Sequence, residues 1–148
     1  MALQDYLIRQ KKQRLSDSLR KIALFRNLSR WQVRKLIKSS YIRHYHDKEL
    51  LFRKGEPSYG LFIVLRGEVE IKDNDKLLTT YAPLDSFGEF ALIRDSKRTT
   101  DAITKGNTTL CYFFKESLFK LFNDDPRLCS TVYQNLLRIV TETFAKRK

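Results

Sequence analysis

Residues 86–93 of the chain read SFGEFALI, and the polar run RDSKRTT follows at residues 94–100. The octapeptide is too short to form a stable helix by itself, yet Glu89 stands where the first turn of a short helix would be. Strand-like sequence flanks it on both sides, so a helix here is an insertion in a sheet. Because the backbone N–H groups at the start of a helix are free to bind anions, the insertion indicates an anion site.

The sequence on either side of this segment has the two-residue period of β-strands. Short strands are predicted where residues alternate or short apolar runs occur, at 42–45, 50–52, 61–65, 69–72, 77–81, 102–103 and 110–114. We expect Gly67 to break one strand, 73–75 to form a hairpin turn, and 105–107 to form a turn between the last two strands. Short strands at this spacing indicate a sandwich or a barrel.

Both ends of the chain have the helical period instead. Residues 1–23 place apolar side chains at helical spacing among basic ones, which predicts an amphipathic basic helix or a pair of helices. Ser29 and Gln32 form a capping box for the next helix, whose apolar face we expect to include Trp31, Val33, Leu36 and Ile37. Asp125 and Pro126 mark the start of a long final helix.

The 148 residues suffice for one core, and 42% apolar with 31% charged residues is typical of a globular domain. No signal peptide is evident, so we expect a cytoplasmic location, in which Cys111 and Cys129 stay reduced. The net charge of +12 is uneven. Residues 1–40 carry eleven basic and two acidic side chains, residues 41–125 thirteen and fourteen, and residues 126–148 five and one. The basic ends therefore predict an acidic partner.

The segment 87–92, Phe-Gly-Glu-Phe-Ala-Leu, has Arg98-Thr99 nine and ten positions after Glu89. Together they resemble the phosphate-binding cassette of cyclic nucleotide-binding domains, found in protein kinase regulatory subunits, gated channels and catabolite-activator-type regulators. Further landmarks of that family stand in the same order at 24–29, 55–56, 61–64 and 67–69. The resemblance covers roughly residues 22–145. It implies a mainly β fold, a double-stranded β-helix or jelly-roll barrel with helices at both ends, over 22–148, preceded by a basic helical extension at 1–21.

The resemblance also implies a set of ligand-binding residues: Phe87, Gly88, Glu89, Phe90, Ala91, Arg98, Thr99 and Thr100. Arg98 would bind the cyclic phosphate with its planar fork of donors, and Glu89 would accept the ribose 2′-OH. Backbone N–H groups at Ala91 and Thr99 would complete the phosphate site, and Gly88 would let the backbone approach closely. No catalytic residue and no metal ligand is predicted.

Four positions depart from the family pattern. Leu84 stands where most members have glycine, Lys97 where many have proline, and Thr100 where alanine is usual. Asp101 adds a charge of the same sign as the phosphate close to the site. These departures leave the main ligands in place and bear on affinity.

The resemblance implies a sensor module, not an enzyme, that binds cAMP or cGMP and signals to a partner in trans. The frequency of ligands in the family favours cAMP, although the Thr99 hydroxyl suits a guanine. The final helix would cover the base with Tyr133, Leu137 or Phe144, which the sequence does not distinguish. We expect no DNA-binding domain in the chain. The acidic partner of the basic ends would be a protein, an anionic membrane or an RNA.

Several alternatives stay open. Glu89 and Arg98 could form a simple ion pair that closes a loop. His44 and His46 share one face of a strand, where a surface pair is favoured over a metal site because no third ligand lies nearby. The whole domain could be a degenerate relative that has lost its ligand and serves as a protein-interaction scaffold. It could also bind nucleic acid through its basic end, although no aromatic residues alternate with the basic ones there.

Overall fold

The structure, a computed structural model, describes residues 2–146, without the side chains of Phe144 and Lys146. Its contacts divide the chain into two compact units. The helical unit comprises the described residues up to Ser39 and from Phe119 onward, and the sheet unit comprises residues 40–118. The predicted domain boundary after residue 21 lies inside the helical unit and does not coincide with the division between the units. That ligand binding does not need residues 1–21 stays a prediction.

Four helices and two short 3₁₀ helices are present in the described residues. The helices are α1 (Leu3–Arg20), α2 (Arg30–Lys38), α3 (Lys115–Asp124) and α4 (Pro126–Lys146), with one 3₁₀ helix at Ala23–Phe25. The predicted capping box at the start of α2 is confirmed, because Ser29 Oγ accepts from the Gln32 N–H at 3.2 Å and Gln32 Oε1 accepts from the Ser29 N–H at 2.9 Å. Asp125 caps α4 as predicted, since its carboxylate accepts from the Leu128 N–H at 3.1 Å.

The helical unit has its own buried residues. Its core side chains include Leu19, Ile22, Leu24, Val33, Leu36, Leu128, Val132 and Leu136. The buried Asn135 amide of α4 donates to the carbonyls of Leu24 and Arg26 at 2.9 and 2.8 Å, which ties α4 to the chain around the first 3₁₀ helix. Such a bond satisfies polar groups that would otherwise be costly to bury.

One predicted core residue of α2 is wrong. Trp31 is 72% exposed, whereas Val33 and Leu36 are fully buried. Successive helix residues are rotated by about 100°, so Trp31 lies roughly 200° from Val33 and points to the opposite face. An exposed tryptophan on a helix with four basic residues is an unusual surface feature.

The sheet unit contains six antiparallel strands. They are β1 (Tyr41–Tyr45), β2 (Leu50–Phe52), β3 (Gly60–Asp73), β4 (Lys76–Tyr81), β5 (Ser86–Phe87) and β6 (Asp101–Phe114). The long strands β3 and β6 pair with each other, while β6 also pairs with β1 and β2, and β3 with β4 and β5. This mainly antiparallel sheet with helices at both ends of the chain agrees with the predicted fold class.

The predicted interruptions at Gly67 and at 105–107 are wrong. β3 continues through Gly67 and β6 continues through Gly106, although both glycines have positive φ angles, +81° and +73°. The β3–β6 register shifts on both sides of Arg66, so the irregular residues form bulges that bend the strand without ending the pairing. The hairpin at 73–75 is confirmed: Asn74 and Asp75 both have positive φ, as in a type I′ turn.

The interior of the sheet unit is rich in aromatic side chains. Its buried cluster consists of Phe52, Phe62, Val64, Val69, Ile71, Phe87, Ala102, Leu110 and Tyr112. Both cysteines are free thiols as expected, and burial raises the pKa of the Cys111 thiol to about 11. Within residues 2–146, no helix combines the length and the apolar character that a membrane span needs.

Candidate ligand-binding site

The segment that the sequence singled out forms a short strand followed by a short helix. In β5, Ser86 and Phe87 pair with Ile63 and Phe62 of β3, and a 3₁₀ helix then runs over Glu89–Leu92. The predicted helix is thus confirmed, as a 3₁₀ helix. The Ala91 N–H donates to the Gly88 carbonyl at 3.2 Å, so this predicted anion donor already has an internal acceptor.

Glycine is required at position 88. Gly88 has a φ of +86°, in the left-handed region that residues with a Cβ rarely adopt. A Cβ at this position would lie 2.8 Å from Arg98 Nη1 and 3.0 Å from the Gly60 carbonyl oxygen. The bare backbone therefore lets the guanidinium of Arg98 pack directly against the turn, which brings two of the predicted site residues together.

Arg98 forms no salt bridge among the described residues, although the charge of the Glu56 carboxylate, which lines the same cavity, acts to raise its pKa. Its Nη2 donates to the Gly60 carbonyl at 3.0 Å, and its guanidinium carbon lies 4.2 Å from the ring centre of Phe52 and 5.8 Å from that of Phe62. Its Nε is buried and has no hydrogen-bond partner. No ion pair among the described residues includes Arg98 or Glu89, so the structure does not form the simple ion pair considered above.

The backbone of Arg98 is bonded to the turn that precedes β3. The Arg98 N–H donates to the Glu56 carbonyl at 2.7 Å, and the Gly55 N–H donates to the Arg98 carbonyl at 2.8 Å. The Ser58 N–H also donates to the Ser96 carbonyl at 3.1 Å. The turn and the stretch before β6 thus form a small ladder that fixes the position from which the guanidinium projects.

The Arg98 side chain lines a cavity of about 250 Å³ in the sheet unit. Aromatic walls are supplied by Phe52, Tyr59, Phe62 and Tyr112. Burial lowers the pKa of the guanidinium, but arginine starts so far above neutral pH that it stays charged. Burial also raises the pKa of Tyr112, and the nearby Arg98 charge opposes this rise. Sequence reasoning missed this aromatic lining, although the alternation of residues in β2 and β6 contains a signal for it.

Glu89 is half-buried but does not line that cavity. Its Oε1 accepts from the Ser86 hydroxyl at 3.1 Å, and burial raises the pKa of its carboxyl group. Burial, followed by the charge of Glu89, also raises the pKa of Tyr81. The rings of Tyr81 and Phe87 are stacked at 5.0 Å, and the Phe87 ring is stacked on Phe62 at 5.0 Å. A column of three rings thus leads from the carboxylate side of the segment to the wall of the Arg98 cavity.

The remaining predicted positions lie around this centre. Thr99 and Phe90 are exposed, and Thr100 is half-buried. The Asp101 carboxylate accepts from the Lys54 N–H at 2.7 Å, so it is held on the backbone. Leu84 has a φ of +77°, which accounts for the glycine that most of the family has there.

The predicted histidine pair lies elsewhere in the sheet unit. His44 Nδ1 lies 2.9 Å from the Thr109 hydroxyl oxygen. Among residues 2–146 no group of three or more histidine, cysteine or acidic side chains is arranged to hold a metal ion.

Comparison with known proteins identifies close relatives of the domain. The family description "Cyclic nucleotide-binding domain" matches residues 42–125. The cGMP-dependent protein kinase of Plasmodium berghei is 34% identical over 110 residues, which are 74% of this chain and 13% of that kinase. The cGMP-dependent protein kinase of Toxoplasma gondii is also 34% identical over 110 residues, 74% of this chain and 11% of the kinase. The chain therefore spans only a small part of these relatives.

Solved structures share the fold. The N-terminal domain of a transcriptional regulator from Streptomyces coelicolor superposes with a TM-score of 0.78 at 22% identity and covers 88% of this chain and 95% of that one. The regulatory domain of Toxoplasma gondii PKA, crystallised with cAMP, gives a TM-score of 0.69 at 23% identity over 78% of this chain and 44% of that one. These likenesses confirm the predicted jelly-roll fold, and with the family match they show that the chain belongs to the cyclic nucleotide-binding domain family.

Proposed function

We propose that this domain binds a cyclic purine nucleotide and that Arg98 holds the cyclic phosphate. The observation that supports this most is the half-buried guanidinium, whose Nε has no partner and which no carboxylate pairs. Burying an uncompensated charge costs free energy, and a bound anion would offset that cost. A cyclic phosphate carries one negative charge and two exocyclic oxygens, which match the arginine fork.

The surroundings of Arg98 support selective binding over loose anion capture. The Phe52 ring under the guanidinium and the backbone ladder at residues 55–58 limit the positions that the cation can take. Such preorganisation reduces the entropy that binding would otherwise cost. In this proposal Glu89 accepts the ribose 2′-OH, and the raised pKa of its carboxyl group reflects a carboxylate poorly solvated before the sugar arrives.

We propose cGMP as the preferred purine. The sequence alone leaned towards cAMP, but the two relatives with 34% identity are named as cGMP-dependent kinases. Thr99 follows Arg98 directly and is exposed, so its hydroxyl can accept from the 2-amino group of a syn guanine. One such bond contributes about 0.5–1.5 kcal/mol, a preference of roughly tenfold at most, so cAMP also binds.

The sequence named three residues of the final helix as candidates to cover the base, and the structure describes the side chains of two of them. Leu137 is 68% exposed, which is unusual for a large apolar side chain. Tyr133 is already packed edge-on against Phe122, with ring centres 5.6 Å apart. The third predicted candidate, Phe144, has its side chain outside the described residues.

We further propose that the helical unit signals by contacting an acidic protein surface. On α2 the exposed Trp31 ring lies 5.0 Å from the guanidinium carbon of Arg34, and the helix carries four basic and no acidic residues. Tryptophan and arginine are the residues most enriched at protein–protein hot spots. The basic charge selects an acidic counterpart, and the exposed indole favours a protein over a purely electrostatic partner.

Calorimetric titration of the full chain with cGMP, cAMP and 5′-AMP tests the nucleotide proposal. We expect saturable binding of both cyclic nucleotides, and much weaker binding of 5′-AMP because its open phosphate has a different shape and charge. Bound ligand also raises the unfolding temperature, by an amount that grows with the logarithm of the ratio of ligand concentration to Kd. If millimolar cyclic nucleotide gives neither heat nor a thermal shift, the scaffold alternative is correct.

A further inference from the structure

Three neighbouring strands each bring one side chain into a row on one face of the sheet. Thr109 of β6 pairs with His44 of β1 on one side and with Arg66 of β3 on the other. Directly opposed residues of antiparallel strands point to the same face, with Cβ atoms about 5 Å apart. The contact between His44 Nδ1 and the Thr109 hydroxyl, at 2.9 Å, fixes the imidazole ring. Arg66 and His44 therefore flank Thr109 on the same face.

The backbone around this row is shaped by a glycine and two bulges. A Cβ on Gly67 would lie 2.5 Å from the Asn107 carbonyl oxygen and 2.5 Å from the Thr108 hydroxyl. The absence of that Cβ lets the chain at 107–108 close in on β3. The β3–β6 register shifts on both sides of Arg66, so this residue lies between two bulges. Bulges change the direction of a side chain relative to a regular strand and often direct it towards a site.

A pocket of about 250 Å³ opens over the row and also contains His46 and Asn107. Its lining offers guanidinium, imidazole, amide and hydroxyl groups, and no carboxylate stands among the described residues that form it. A cation would thus meet no anionic ligand, whereas the arginine fork suits phosphate oxygens. One arginine among the lining residues suits a ligand with a single phosphate group. We propose that this pocket binds a small phosphate monoester.

This site is separate from the one at Arg98. The two pockets share no lining residue. Gly60, which accepts the Arg98 bond, precedes Arg66 by six positions along β3, which is about 20 Å at the rise of a strand. The proposal does not rest on nucleotide binding, and it gives His44 and His46 a common role that a chance surface pair would lack.

Titration with inorganic phosphate, followed by two-dimensional NMR of the backbone amides, tests the proposal. The full chain is used, and sodium chloride holds the ionic strength constant. The same titration on Arg98→Leu protein removes any phosphate bound at the cassette. We expect saturable shifts at residues 44–46, 66–67 and 107–109 in both proteins. Glycerol 3-phosphate, a small monoester, should bind at least as tightly as inorganic phosphate.

Substitutions in the row identify the groups that bind. Arg66→Gln should weaken phosphate affinity at least tenfold, because it removes the charged guanidinium fork, and His44→Gln at least threefold, because the more flexible amide replaces the imidazole N–H that the Thr109 contact positions. Arg94→Gln, an exposed arginine outside the pocket, is the matched control and should change nothing. Arg66 and His44 are both exposed, so their substitution should preserve the fold, and thermal unfolding of each variant verifies this.

Three results would overturn the proposal. The first is the lack of saturable shifts at these residues in the Arg98→Leu protein. The second is an Arg66→Gln protein that binds phosphate as tightly as wild type. The third is exclusion of glycerol 3-phosphate from a pocket that accepts inorganic phosphate. A failure of cyclic nucleotides to bind would leave all three readouts unaffected.

Discussion

The two units of this chain differ sharply in charge. The helical unit, counted over the whole sequence, has seventeen basic and five acidic side chains, whereas the sheet unit has twelve of each. The entire net charge of +12 thus belongs to the helical unit. Yet the cation best placed to recognise a single anion, Arg98, lies in the neutral unit. Excess charge and a built anion site are therefore separate properties of this molecule.

The difference follows from what each kind of recognition requires. A cation that reads one phosphate must be held by neighbours, as Arg98 is held by Gly60 and by the Phe52 ring. A surface that attracts an acidic partner needs only a positive electrostatic potential, which salt screens over a Debye length of about 8 Å at physiological ionic strength. Balanced charge around the sheet-unit site gives unrelated anions no general attraction to it, and surplus charge on the helices speeds encounter with an acidic protein.

The largest effect that would test this division is loss of Arg98. Arg98→Leu should lower nucleotide affinity by about 2–5 kcal/mol, the cost of removing one partner of a buried charged contact, which is about thirtyfold or more. Calorimetry with cGMP measures it. Arg94→Leu makes the same change at an exposed arginine nearby and should bind like wild type. Equal affinities of the two variants would show that the field, rather than the held guanidinium, captures the phosphate.

The next effect concerns Glu89. Glu89→Gln should lower affinity by about 1–1.5 kcal/mol, roughly five- to tenfold, because a hydrogen bond to a charged acceptor is replaced by a weaker one to a neutral group. The same variant should be more stable than wild type at neutral pH without ligand. Glu116→Gln, on the exposed surface of α3, is the control for both measurements.

The pH dependence of that stability gain has a definite sign. Burial raises the folded-state pKa of Glu89 above its unfolded value, so the native state binds more protons between the two values. The free energy of unfolding of wild type therefore falls as the pH rises through this range and is level above it. The advantage of Glu89→Gln should vanish below the unfolded pKa of glutamate. A gain that grows as the pH falls would contradict this.

Removal of residues 1–21 should separate the two units functionally. The deletion takes away six basic and two acidic side chains. At a few tenths of a kcal/mol per net charge, binding to the acidic probe poly-glutamate should weaken about tenfold, and salt should weaken what remains. Affinity for cGMP should stay within about twofold. Collapse of cGMP binding would place these residues within the nucleotide-binding domain. If the full chain binds anionic vesicles or RNA as tightly as poly-glutamate, its basic surface is not specific for a protein.

A smaller effect is expected at Thr99. Thr99→Ala should weaken cGMP by about 0.5–1.5 kcal/mol and leave cAMP almost unchanged, because only guanine has the 2-amino donor. Competition titrations with both nucleotides give the ratio. Thr79→Ala, an exposed threonine on β4, controls for general effects of the substitution. If the cGMP/cAMP ratio is the same in both variants, Thr99 does not read the base.

The smallest effect is one of backbone strain at Leu84. A non-glycine residue in the left-handed region costs about 1–2 kcal/mol, and glycine loses about 0.5–1 kcal/mol more backbone entropy on folding. Leu84→Gly should therefore raise the free energy of unfolding by up to about 1 kcal/mol in a denaturant titration. Leu78→Gly, at an exposed β4 position, should lower it. Destabilisation by both would mean that the Leu84 side chain contributes more than its strain costs.

Local patterns predicted local structure in this chain. The capping box at Ser29 and Gln32, the hairpin at 73–75 and the cap at Asp125 are all present, because each depends on residues within a few positions. The glycines at 67 and 106 were misjudged since local sequence shows a positive φ but not the partner strand that keeps the ladder intact. The neighbours of Arg98, such as Phe52 and Gly60, are distant in sequence, so its environment could not be predicted.

The position of the single tryptophan has an experimental consequence. Trp31 emits from the solvent-facing side of the helical unit, beside the Arg34 guanidinium. The stacked rings of Tyr81, Phe87 and Phe62 lie in the sheet unit, where Tyr81 senses the charge on Glu89. Indole fluorescence therefore reports on the helical unit, and the near-ultraviolet circular dichroism of the stacked rings reports on the sheet unit. Neither measurement needs an added label. A ligand that alters only one of them identifies which unit it has reached.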